Sequence, residues 1–400
     1  MISRRDVLKS LGVGAVASSV PGVAFANGSG DTKFVLVVLR GAVDGLAIAA
    51  PYGDGNYRSV RGELAIPDPA NSDGLLKLDG MFGLHPALPN VYRSYLDGEA
   101  AVIHAIASPY RERSHFDGQD LLESGGTKVG AMRDGWLNRA LSSLDSKSGE
   151  EAAIALAPNT PLVLRGPNSV TSWAPSKLPD ADDGTLERLQ RLYADDEFFA
   201  SRLQQALHSQ EIAGDQMSPS ETRGRGSEGK QFAELMSSAA RFLTADGGPA
   251  IAVVELGGWD THANQGTTNG SLANRLGSLD TGLKNLRNGL GDAWKQTAVA
   301  VVTEFGRTVR VNGTRGTDHG TGTAALLLGG AVNGGRVIAD WPGLADSNLY
   351  SGRDLMPTSD LRSLFKTVLA EHLEISLAHI EREVFPDSAA AQPMQGLIKT

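Results

Sequence analysis

The sequence predicts an α/β protein: a mostly parallel central sheet with helices on both faces and a helical insertion. Two observations carry this. Short apolar runs rich in β-branched residues, Phe34–Leu39, Ile251–Leu256 and Ala298–Val302, read as strands buried on both faces. Segments of helical period lie between the strands, so the connections are crossovers and the pairing is mostly parallel. A third observation bears on function. Each of these runs ends in a cluster of potential metal ligands, and ligands of open α/β sheets lie beyond the carboxyl ends of the strands.

In chain order, the strand Phe34–Leu39 leads into a Gly/Pro-rich stretch reaching about Pro89. A helix is expected over Val91–Leu96 and a second strand over Ala101–Ala105. After the loop Ser108–Ser114 a helix should run through Gln119–Glu123, followed by short strands at Ala152–Ala157 and Leu162–Arg165. Leu186, Leu189, Leu192, Phe198, Phe199 and Leu203 recur at helical spacing, which places helices between Gly184 and His208. Further helices are expected at Gln231–Thr244, Leu272–Trp294 and Asp360–His372, with Ala324–Leu328 as the last strand. The domain plan is one α/β unit over residues 33–386 and a C-terminal tail over 387–400. A helical insertion at about 180–245, serving as a lid or as a helical pack, contains a polar, mobile loop near 214–230.

Composition narrows the function. In 400 residues with 41% apolar content there is ample material for a large core. The net charge of −9 leaves no basic stripe for nucleic acid. There is no cysteine, so disulfides, thiolate ligands and thiol nucleophiles are excluded and His and carboxylates are the candidate ligands. Residues 1–26 read as a twin-arginine signal: Arg4-Arg5, the mildly apolar Leu11–Val20, and an Ala24-Phe25-Ala26 cleavage site. That stretch is too short to span a bilayer, and the expected location is periplasmic or secreted, after folded export by the twin-arginine machinery.

The candidate site residues follow the strands. Asp260 and His262 lie two positions apart in Gly257-Gly258-Trp259-Asp260-Thr261-His262, where both can face one ion; the alternative is a turn cap and a packed imidazole. Glu304 suits a hard or borderline cation and Arg307 an anion such as phosphate, or else the two form an ordinary ion pair. His319, flanked by Gly320, can approach a ligand closely, with Asp318 orienting its ring. Asp44 closes the first strand, as a ligand or a helix cap. In the loop after the second strand, Ser114 or Ser108 is a candidate nucleophile or an N-cap, with His115, Arg111 and Arg113 beside it. His85 and His104 read as structural, and His208, His372 and His379 as surface residues on helices.

From Phe34 to about Pro386 the chain resembles the bacterial exported family catalogued as domain of unknown function 1501. The motifs are Leu39-Arg40-Gly41-Ala42-Val43-Asp44-Gly45-Leu46, Gly83-Leu84-His85-Pro86, Arg113-Ser114-His115-Phe116-Asp117 and Asp134-Gly135-Trp136-Leu137-Asn138-Arg139. They continue with Gly257–Asn264, Glu304–Thr308, Gly316-Thr317-Asp318-His319-Gly320 and Asp340-Trp341-Pro342-Gly343-Leu344. That family is similar in layout to the alkaline-phosphatase-like superfamily of sulfatases and metal-dependent phosphomutases. The resemblance implies an alkaline-phosphatase-like fold with Asp44, Asp260, His262, Glu304 and His319 as ligands of one or two divalent ions (zinc, manganese or calcium). It also implies catalytic roles for Ser114, His115 and Arg307, with Asp318 and Arg113 supporting them. Two departures stand out: Glu304 is followed by Phe305 where a His is usual, and Ala107 occupies the position a sulfatase converts to formylglycine. The expected function is hydrolysis of phosphate, less readily sulfate, esters on a small anionic or glycan substrate. The alternatives are a non-catalytic metal- or glycan-binding protein and an envelope assembly factor.

Overall fold

Lys33–Leu39 (KFVLVVL) is a seven-residue strand whose last six residues are all buried. It is β1 of a computed structural model that describes residues 32–144, 152–175, 183–213 and 227–399. The expected twin-arginine segment, the expected cleavage site and residues 214–226 of the expected mobile loop lie outside the described residues. The central sheet adds β2 (Ala100–Ala107), β3 (Ala153–Ala155), β4 (Thr171–Ser172), β5 (Ile251–Leu256) and β6 (Thr297–Thr303). It is completed by β7 (Thr323–Leu328), β8 (Arg336–Ile338) and β9 (Ser359–Asp360). Their order is β8-β2-β7-β6-β1-β5-β3-β4, with β9 also paired to β2.

β1 pairs in parallel with β5 and β6, whereas β7 runs antiparallel between β6 and β2. Two antiparallel steps restore the original direction, so β2 points the same way as β1, β5 and β6. The carboxyl ends of those four strands and the amino end of β7 therefore share one edge, and the loops leaving them meet there.

Alternate residues of β1 enter separate cores, as a pleated strand requires. Val35, Val37 and Leu39 join one core with α1 (Pro89–Leu96), α6 (Ser227–Thr244) and α7 (Ser271–Leu290). Phe34, Leu36 and Val38 join the other with α3 (Trp136–Leu141) and α8 (Leu361–Thr367). In α7 the buried Leu272, Leu276, Leu279, Leu283, Leu286 and Leu290 alternate steps of four and three, a single apolar stripe. Each such fully buried side chain contributes about 1.5–3 kcal/mol. The fold is thus the mixed, mostly parallel sheet with helices on both faces that the apolar runs predict. No helix of the described residues is long and apolar enough to cross a membrane.

Several local expectations are corrected. Leu162–Leu164 is a 3-10 turn rather than a strand: Arg165 N–H bonds back to Leu162, and the buried Glu123 takes the Val163 N–H. Ala324–Leu328 is not the last strand, since β8 and β9 follow it. The helix expected over Gln119–Glu123 is α2, His115–Ser124, which starts four residues earlier. His372 is buried, with its Nε2 at 2.9 Å from the Lys33 carbonyl at the start of β1. In the stretch expected as an insertion, α6 packs into the core. On α4 (Asp183–Leu192) and α5 (Glu197–Ala213), by contrast, Leu192, Phe198 and Phe199 remain exposed.

Candidate metal centre

Four loops from the shared sheet edge build the site. The β1 loop turns at Gly41, whose φ is +121° and whose missing Cβ would lie 2.7 Å from the Asp260 nitrogen. Any side chain there would push the β5 loop away. Freed from steric bulk, the Gly41 N–H donates to Glu304 Oε1 at 2.8 Å. The β2 loop ends at Ser114, the N-cap position of α2, so His115 opens the helix facing the site. Gly257–Gly270 follows β5 and carries Asp260 and His262. The β6 loop carries Glu304 and Arg307, and returns to β7 through His319.

Three imidazoles converge. His319 Nε2 lies 2.9 Å from His115 Nε2, 3.0 Å from His262 Nε2 and 3.1 Å from Asp260 Oδ1. Asp260 Oδ1 is also 3.0 Å from His262 Nε2. One ligand atom from each of His115, Asp260 and His319 lies within 4.8 Å of the others, which makes them a possible metal site.

The far nitrogen of each ring is already engaged. His115 Nδ1 is 2.8 Å from Glu304 Oε1, His262 Nδ1 is 3.1 Å from Asp318 Oδ1, and His319 Nδ1 is 2.9 Å from the Arg113 carbonyl. These partners accept hydrogen bonds, so the tautomer with the hydrogen on Nδ1 satisfies all three and turns an Nε2 lone pair toward the centre. Arg113 adopts a left-handed φ of +65°, unusual for a residue with a side chain, and its carbonyl is the one that receives His319.

Electrostatics follow from these contacts. Burial raises the Glu304 carboxyl, but hydrogen bonds from His115, its own backbone, Gly41 and Thr303 outweigh it, holding the group ionised. The Glu304 hydrogen bond in turn raises His115 above the ordinary imidazole value. Burial and the neighbouring His115 charge push His319 down. Asp260 is raised by burial, yet the Arg307 hydrogen bond and charge bring it below the usual carboxylate range. Asp318 is lowered, first by its hydrogen bond from Asn312.

The structure brings together Asp260, His262 and His319 of the five expected ligands. Glu304 stands one step back, behind His115. Asp44 is withheld: its carboxylate is buried against Arg61 and accepts from Gln265 Nε2 at 2.6 Å. Arg307 is buried, with Nη1 2.6 Å from Asp260 Oδ1 and Nε 3.1 Å from Thr317 Oγ1, while Nη2 donates to the Thr317 carbonyl. It clamps a carboxylate rather than offering a free edge to an anion.

Asp318 orients His262, not His319. Arg113 acts through its carbonyl, because its guanidinium pairs with the buried Asp354. Ser108 is buried in its loop, accepting from the Tyr110 N–H at 3.3 Å, whereas Ser114 caps no backbone amide through its side chain and adjoins His115. His115 is the member that sequence reasoning placed among catalytic groups instead of ligands. Its signal in the sequence is its place directly after Ser114, the N-cap of α2.

The solved structures similar to this chain include a phosphonate monoester hydrolase of Agrobacterium radiobacter, at 14% identity and a TM-score of 0.39, covering 86% of this chain and 74% of that one. The zinc complex of the C-terminal periplasmic domain of EcEptC from Escherichia coli matches at 11% identity and a TM-score of 0.39, covering 92% and 91%. The PsFucS1 sulfatase from Pseudoalteromonas sp. matches at 11% and 0.39, covering 91% and 71%. At those TM-scores no chemistry is carried over. No curated protein matches the chain. The family described as "Protein of unknown function (DUF1501)" matches residues 99–384, a span holding every residue of the three-imidazole cluster, and the chain belongs to that family.

Proposed function

We propose that this chain binds a divalent cation through His115, Asp260, His262 and His319 and hydrolyses phosphate esters. The observation that carries the proposal is the convergence of three Nε2 atoms on the Asp260 carboxylate, His262 and His319 at Oδ1 and His115 at Oδ2, with every Nδ1 held by an oxygen acceptor. Lone pairs 2.9–3.0 Å apart repel unless a positive charge lies among them. Rings oriented through the far nitrogen are the usual support of metal-bound histidine. Tetrahedral zinc–nitrogen bonds of about 2.0–2.1 Å would separate two donors by roughly 3.3 Å, so nitrogens now 2.9–3.0 Å apart would part by a few tenths of an ångström to hold the ion. Three imidazoles with one carboxylate suit zinc or manganese, whereas calcium takes oxygen ligands.

When bound, such an ion supplies Lewis-acid polarisation of the ester and lowers the pKa of a coordinated hydroxyl or water. The protein's own residues do the positioning. Glu304 fixes the His115 ring, Asp318 that of His262 and the Arg113 carbonyl that of His319, while Arg307 holds Asp260 ionised. Ser114 is the candidate nucleophile, set at the amino end of α2 beside His115. Arg4-Arg5 and Ala24-Phe25-Ala26 support export, and hence action outside the cytoplasm.

The test is to purify the mature protein, measure bound metals by mass spectrometry and assay aryl phosphate and aryl sulfate with and without a chelator. Bound zinc or manganese and chelator-sensitive phosphate turnover are expected; absence of both overturns the proposal. One observation favours a second reading, a metal-binding protein without turnover: Arg307, the expected grip on the anion, is engaged by Asp260 and Thr317. Stoichiometric metal with no turnover would select that reading.

A further inference from the structure

The loop Gly257–Gly270 has a second face. Residues Ala263, Asn264 and Gly270, just past His262, form one wall of a cleft of about 880 Å³, whose other walls come from the start of α6 and the first turns of α7. Polar side chains share its lining evenly with apolar surface: Asn264, Ser271, Asn274 and Ser278, with Arg275 paired to Glu228 at 3.0 Å. The side chains of Asn264, Ser271 and Asn274 make no hydrogen bond among the described residues. Ser278 donates to the Asn274 carbonyl, which leaves its oxygen free to accept. Arg275 also donates to the Gly257 carbonyl at 3.1 Å, and its buried Nε has no partner.

We infer that this cleft holds the alcohol portion of the substrate, and that this portion is a polyol or sugar. The inference rests on the ester-hydrolase reading for the position of the reacting bond. The lining selects the chemical class. Two free amides and two hydroxyls offer donors and acceptors in the mixed pattern that vicinal hydroxyl groups require. The one cation and one anion neutralise each other, so the cleft has no net charge to attract a second anionic group. No aromatic residue lines it, which disfavours a nucleobase seeking a stacking partner, and Leu256 is its one large apolar contributor. Volume is sufficient for a drug-sized or disaccharide-sized ligand.

Arg275 ties the cleft to the metal centre mechanically. Its guanidinium packs on Gly258, where an added Cβ would lie 2.2 Å from the guanidinium carbon, two residues before Asp260. A sugar seated in the cleft would thus rest against the same loop that presents Asp260 and His262.

The experiment compares binding of glucose, galactose and mannose 1-phosphates with phenyl phosphate by titration calorimetry, on the mature protein and on Asn274→Leu and Ser278→Val. At least one sugar phosphate should bind about tenfold tighter than phenyl phosphate, a margin of one or two hydrogen bonds. Both variants should erase that margin while metal content stays unchanged. Equal affinity for all four esters, or variants that do not move the margin, overturns the inference. Failure of the ester-hydrolase reading is separately visible, as loss of binding for every ester including phenyl phosphate.

Discussion

His115 Nε2 and His319 Nε2 face each other at 2.9 Å, although 204 residues separate them along the chain. With each ring carrying its hydrogen on Nδ1, toward Glu304 and the Arg113 carbonyl, both Nε2 atoms present lone pairs to each other. The pair is therefore stable only around a cation or a shared proton.

Removing the supports should weaken metal binding in proportion to their directness. His319→Ala deletes a donor and should abolish high-affinity zinc binding. Glu304→Gln keeps the shape but loses the charge that orients and polarises His115, so zinc affinity should fall roughly 10–100-fold. Competition titration with a chromogenic chelator checks both, and a Glu304→Gln affinity equal to wild type would contradict the proposed support.

Asp44→Asn separates the observed ligand set from the one the strand ends suggest. Zinc affinity should stay within about twofold of wild type, since Asp44 neutralises Arg61 instead of reaching the centre. Stability should fall by about 3 kcal/mol, because Arg61 is fully buried and loses its counter-ion. Chemical denaturation and the same titration read the two effects independently.

Arg40 bridges Glu123 on α2 at 2.8 Å and Glu255 on β5 at 2.5 Å, joining the helix that begins with His115 to the strand that leads to Asp260. Arg40→Met should cost about 3 kcal/mol, the low end for a buried pair because Arg40 is itself partly exposed. Adding Glu123→Gln should recover part of that loss, since the stranded buried carboxylate is then gone. Urea denaturation of the single and double variants measures the coupling.

Acid should destabilise the fold through His104, which is fully buried against Phe82 and Trp341. Burial pushes its imidazole down to about 4 from 6.5, so the unfolded chain takes up the proton first. The stabilisation is complete above about pH 6.5 and is lost as the pH falls toward 4, on the order of 3 kcal/mol. His104→Gln retains a donor for the Ala49 carbonyl and should flatten this slope in denaturation curves taken from pH 7 to 4. An unchanged slope would assign the acid sensitivity to other groups, His85 and His372 among them.

Much of the sheet was legible in the apolar runs. Strands buried on both faces are nearly continuous apolar segments, and β1, β5, β6 and β7 stand within a residue of where those runs place them. The short strands β4, β8 and β9 were not legible: two or three residues of pairing leave no periodic signal, and the sheet edge recruits them. The antiparallel β7 was also hidden, because a buried strand has the same composition in either direction.

At the site, the residue types were decided by the sequence alone. With no cysteine present, imidazoles and carboxylates were the available donors, and strand ends were the place to look for them. Which of them meet was decided only in three dimensions. Asp44 and Asp260 both end strands, yet one is buried against Arg61 and Gln265 while the other faces three imidazoles. Arg307 turns inward to Asp260 and Thr317, and His115 enters because α2 starts at that residue. Each outcome depends on a partner brought near by the sheet's strand order, and the free energy of a charge is set by what surrounds it, not by its neighbours along the chain.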